Sequence, residues 1–135
     1  MDKSLPIKLH IVKPPQDTYE LREQFLAECD NFSKITSKLR YSKMNVYGMN
    51  WMKRGWDGIF QNLDRKFGII EENLWNKLIL KRIALSDNEL VYLIDGLIDL
   101  SNYCQMALFF TKFVYLEQWE KLEQKMKQRM ETPIE

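Results

Sequence analysis

Apolar residues along this chain recur mostly at intervals of three and four, the period of helices that bury one face. Leu21, Phe25, Cys29, Phe32, Ile35 and Leu39 line one such face. They predict an amphipathic helix over about residues 17–41, started by Asp17-Thr18 and carrying Glu20, Arg22, Glu23, Lys34 and Lys38 on its outer side. Ser42 to Gly48 reads as a connection. Helical phasing resumes over 49–67 through Ile59, Leu63 and Phe67, interrupted by Gly55 and Gly58. A third helix is expected over about 69–84, and Ser86-Asp87 caps a fourth. That one is apolar on most sides (Leu90, Leu93, Ile94, Leu97, Ile98, Leu100, Tyr103, Cys104, Ala107, Leu108), so a central position is expected.

Only residues 5–12 break the helical period, alternating apolar and polar before Pro14-Pro15. The expected architecture is therefore all-α, a bundle of four to five helices with a short extended N-terminal arm. The arm covers 1–16 and a single helical domain covers 17–135, with 114–131 a charged C-terminal helix. In that last segment Trp119, Leu122, Met126 and Met130 stand at near-heptad spacing. Such a stripe suits a partner helix, a second copy, or the domain's own core.

With 135 residues and 45% apolar composition, the chain is sized for one domain. Its net charge of +1 supplies no global field toward nucleic acid or an anionic membrane, so any phosphate binding must be local. No apolar run reaches the roughly 18 residues of a membrane span, and no apolar segment follows Met1-Asp2-Lys3-Ser4 as in a signal peptide. Cys29 and Cys104, with His10 the sole histidine, lack the ligands for a zinc site and read as free thiols of a reducing, cytoplasmic compartment.

Two stretches carry candidate chemistry. In Tyr47-Gly48-Met49-Asn50-Trp51-Met52-Lys53-Arg54-Gly55, glycines alternate with aromatic and basic residues, and Arg65-Lys66 follow about three turns later. Backbone N–H groups freed of a Cβ, together with four cations, suit a triphosphate. A solvated basic face beside a tight helix crossing would give the same pattern. In the second stretch Asp95 and Asp99 stand one turn apart on an apolar helix, with Asn102 extending their face. Two such carboxylates suit Mg²⁺, or ion pairs with Arg65, Lys66 or Arg82. Glu71 and Glu72 are either further metal ligands or an acidic first helical turn. One histidine leaves no basis for a catalytic triad.

The run Tyr47-Gly48, Trp51, Lys53-Arg54-Gly55, Gly58, Phe60, Arg65-Lys66, Glu71, Asp95, Asp99-Leu100 and Asn102-Tyr103 resembles the MazG-related all-α nucleoside triphosphate pyrophosphatases, in particular their phage and bacterial nucleotide modification associated branch. The resemblance spans about residues 25–110. It implies an oligomeric helical bundle that holds a nucleotide between helices and uses Mg²⁺ to hydrolyse it to a monophosphate and pyrophosphate. Carried over, Glu71, Asp95 and Asp99 would be the catalytic metal ligands. Tyr47, Gly48, Trp51, Lys53, Arg54, Arg65, Lys66 and Asn102 would hold the nucleotide, with Trp51 or Tyr47 stacking on its base. The chain departs from the family pattern at Gly68 and Gly96, where leading acids are expected. That departure supports an alternative: a member that binds or sequesters a nucleotide without hydrolysing it, or serves as a helical interaction factor.

Overall fold

The computed structural model describes residues 15–131, and these form four long helices joined by short turns, with no strand among them. The arm expected over 1–16 lies, apart from Pro15 and Gln16, outside the described residues. Helix α1 spans Tyr19–Tyr47 and starts where the Thr18 hydroxyl accepts the Leu21 N–H at 3.1 Å. It runs straight through 42–47, where a connection was expected, because nothing in Ser42–Tyr47 breaks the backbone ladder. The helix stops only at Gly48, whose φ of 60° and ψ of −146° are open to glycine almost alone. A short 3₁₀ turn, Asn50–Arg54, follows, and Gly55 repeats that backbone conformation at the next junction. These two glycines redirect the chain.

Helix α2 spans Gly55–Ile70 and does not end near Gly68 as expected. It widens into a π-helical continuation, Glu71–Leu80, that replaces the separate third helix. At the changeover the Asn73 side chain donates to the Ile69 carbonyl at 2.9 Å. Arg82, at φ 51°, then turns the chain toward helix α3, Asp87–Val114. Its start is the one read from Ser86-Asp87. The Ser86 hydroxyl accepts the Glu89 N–H, and the Glu89 carboxylate accepts the Ser86 N–H. Glu89 also takes Lys77, tying the end of the α2 continuation to the start of α3.

Helices α2 and α3 pack antiparallel in one consistent register: Trp56 meets Phe110 edge to face, Lys66 meets Asp99, Ile69 meets Gly96 and Lys77 meets Glu89. The core sits in this seam, where Ile70, Leu85 and Leu93 are buried with Leu78 and Leu100 against them. Helix α1 meets α3 near its own C-terminal half, through Arg40 and Lys43. Its predicted core face does not close, for Phe25, Phe32 and Ile35 stay exposed. A second 3₁₀ turn, Leu116–Gln118, leads to α4, Trp119–Glu131, whose Leu122, Met126 and Met130 are likewise exposed rather than packed on the core. No helix among the described residues is long and apolar enough to cross a membrane.

Replacing Ser86 by Ala should cost about 1 kcal/mol of stability by chemical denaturation, the usual loss for an N-cap hydroxyl. The Lys77 ammonium, with the Ser86 N–H and hydroxyl, draws the Glu89 carboxyl from 4.5 down to about 2. The unfolded chain therefore takes up this proton first, so the contribution is complete above about pH 4.5 and is lost as pH falls toward 2. Denaturation midpoints across that window should fall less steeply for Glu89→Gln than for the native chain, and equal slopes would refute the linkage.

Candidate functional site

The α2–α3 register sets Arg65 and Lys66 of α2 against Tyr103 and Asp99 of α3, and α1 adds Arg40 and Lys43 at the same level. Lys66 donates to one Asp99 oxygen at 2.8 Å and Lys43 to the other at 3.2 Å. Arg40 donates to the Asn102 Oδ1 at 3.0 Å. Arg65 reaches the Tyr103 hydroxyl at 3.4 Å, and the Lys43 ammonium lies 5.9 Å from the centre of the Tyr103 ring. Within this set four cations face one carboxylate, leaving three formal positive charges unmatched.

Asp99 is pulled two ways. Burial raises its pKa, but the hydrogen bonds from Lys66 and Lys43 outweigh that, and the carboxyl titrates below its ordinary value. Asn102 is only 3% exposed, and its Nδ2 has no hydrogen-bond partner. The amide cannot be turned round to find one, because its carbonyl must face the Arg40 guanidinium. A buried donor left unmet costs about 1–3 kcal/mol. Arginines bonded to neutral groups leave the cluster short of anionic acceptors, while the unmet Asn102 donor lies below the surface.

Of the residues expected to bind a nucleotide, Arg65, Lys66 and Asn102 are brought together here, with Asp99 among them. Lys53 and Arg54 are not: they sit on the exposed 3₁₀ turn, where Arg54 donates to Gln61 at 2.9 Å. Trp51 lies edge-on to Phe109 with ring centres 6.4 Å apart, so it packs on α3. Tyr47 ends α1 exposed, and Gly48 serves the chain reversal. Glu71 and Asp95 are exposed and do not join Asp99. No three His, Cys, Asp or Glu side chains among the described residues form a group able to hold a metal ion. Glu71 instead borders a cleft lined by Phe67 of α2 and by Leu74, Trp75 and Ile79 of its π-helical continuation.

Arg40 and Lys43 escaped the sequence reading. They stand four and seven residues beyond the buried Thr36, so they continue the face of α1 that turns inward. Cations on that face were the available signal.

Gly96 also changes meaning. A Cβ there would lie 3.1 Å from the Ile69 Cγ2, so the glycine permits the α2–α3 contact and a larger residue would have to push Ile69 back. Gly68 is different, since nothing lies within 4 Å of a Cβ built on it. No family model, curated protein or solved structure matches this chain. Gly96→Glu should lower stability by roughly 2–4 kcal/mol, through overpacking and a desolvated charge. Gly68→Glu should change it by no more than about 1 kcal/mol, in the stabilising direction, as a helical glycine is relieved. Thermal melts of the two variants check the contrast.

Proposed function

We propose that this chain is a nucleotide-binding protein that grips phosphate oxygens with Arg40, Lys43, Arg65 and Lys66, on a scaffold resembling the MazG-related bundles. The carrying observation is the charge imbalance at the α1–α2–α3 junction, where four cations face one carboxylate. Tyr103, beside Arg65 and Lys43, offers an aromatic face for a base or ribose.

The geometry favours binding over hydrolysis. Both Asp99 oxygens are occupied by lysines, and Glu71 and Asp95 stand apart from it, so the described residues gather no cluster of carboxylates for Mg²⁺. In this reading the lysines hold Asp99 as an internal counter-ion that an incoming phosphate competes with. The protein acts as a homo-oligomer in the reducing cytoplasm, in keeping with its two free thiols. A second reading, a helical interaction factor, rests on the uncovered stripe of Leu122, Met126 and Met130 on α4.

Calorimetric titration with nucleoside triphosphates and with inorganic triphosphate, in chelator, tests the first reading. Arg40→Ala should weaken binding about 10- to 100-fold, the loss of one charge-assisted contact. Arg54→Ala should leave it unchanged. Equal losses in the two variants, or no binding of any triphosphate, would remove the proposal; pyrophosphate release with added Mg²⁺ would restore the hydrolase.

A further inference from the structure

Helix α3 turns one face toward α2 and α1, and the face directly behind it is bare. Leu90, Ile94, Leu97, Ser101, Cys104 and Leu108 follow one another at steps of four, three, four, three and four residues. That is the spacing of a coiled-coil seam. All six are exposed: Leu90 at 41%, Ile94 at 52%, Leu97 at 49% and Leu108 at 52%, with Ser101 and Cys104 open between them. From Leu90 to Leu108 the only charged residues are Asp95 and Asp99, and 100° per residue puts both on the other side of the helix. Five turns of helix thus show solvent an uncharged, apolar stripe.

We propose that this stripe is the contact between two copies of the chain, packed as an antiparallel pair of α3 helices about a two-fold axis. The resemblance implies an oligomer without naming a face; α3 supplies the face and its register. The step pattern reads the same in both directions about residue 99, as an isologous antiparallel contact requires. Reversing one helix sets Leu90 against Leu108 of the partner subunit, Ile94 against Cys104 of the partner subunit, and Leu97 against Ser101 of the partner subunit. Each inner layer then pairs a large side chain with a small one. A parallel pair would instead stack Ser101 on its own copy and leave a void there, which costs stability.

The exposed area of the whole chain leaves room for such a contact. The chain exposes 11664 Å², against roughly 7,500 Å² for a folded monomer of 16.3 kDa. Allow residues 1–14 and 132–135 the largest area that chains of their length can expose, about 3,000 Å². A surplus of roughly 1,200 Å² still remains, above the approximately 800 Å² each partner contributes to a standard interface.

Sedimentation and crosslinking of the full chain decide the matter without reference to any ligand. The native protein should sediment at twice the chain mass or an even multiple of it. Leu97→Glu should halve that mass while leaving helical circular dichroism unchanged, since Leu97 is exposed in the single chain. In a Cys29→Ser background, Ile94→Cys should oxidise to a covalent dimer joined from position 94 to Cys104, identified by peptide mass spectrometry. Cys104 should not join its own copy, because the two lie about 15 Å apart along the seam, beyond the reach of a disulfide. A monomeric native chain, an unchanged mass for Leu97→Glu, or a Cys104–Cys104 link would each overturn the proposal.

Discussion

The structure depends on how closely α2 and α3 approach at Gly96. Removing the Cβ there lets Ile69 lie directly on the α3 backbone, and that contact fixes the register of two long helices at once. Everything polar between them follows from it. One turn toward the start of α2, Lys66 falls opposite Asp99; further the other way, Lys77 falls opposite Glu89. A slip by one residue would rotate these side chains by about 100° and break each pair. The buried residues Ile70, Leu85 and Leu93 add apolar area at the same junction, but apolar contact is tolerant of register in a way that paired charges are not.

Electrostatics explains why Asp99 sits among the cations. Four cations converging on a partly dry junction repel one another, and a single carboxylate between two lysines offsets part of that repulsion. The arginines are left to neutral acceptors, the Asn102 carbonyl and the Tyr103 hydroxyl. Such bonds hold a guanidinium in position without neutralising it. The cluster is therefore pre-positioned and still attractive to an anion, which lowers the ordering cost of binding.

Much of the fold was legible in the chain because it rests on local chemistry. The helical period and the Ser86-Asp87 cap gave α3 its start, and the helix count followed. What the chain does not show by itself are roles that depend on a distant partner. Gly96 stands where an acid is expected, and Ile69 against it gives the glycine a packing role; Gly48 and Gly55, at φ 60° and 59°, redirect the chain. The π-helical continuation past Gly68 carries no punctuation at all, since a widened ladder uses the same residues as an ordinary one. Of the cluster's residues, Arg65 and Lys66 were singled out with the glycine-rich stretch and Asp99 and Asn102 with the apolar helix. Arg40 and Lys43 were not, for they come from a helix some sixty residues away.

Helix α3 is the strut that relates the cation cluster to the apolar seam. The seam is centred on residue 99, and the cluster is built on Asp99, Asn102 and Tyr103, so the two lie at one level on opposite sides of the same helix. Pairing through the seam would set two clusters back to back, facing outward, with no side chain shared between them. Each could then take its anion independently, and the repulsion between clusters would be reduced by two helix diameters of intervening protein. Dimer contact would still bear on the site through helix curvature. A long helix with one side in water curves convex toward that side, so covering the bare face of α3 would act on the curve of the helix that carries Asp99 and Asn102.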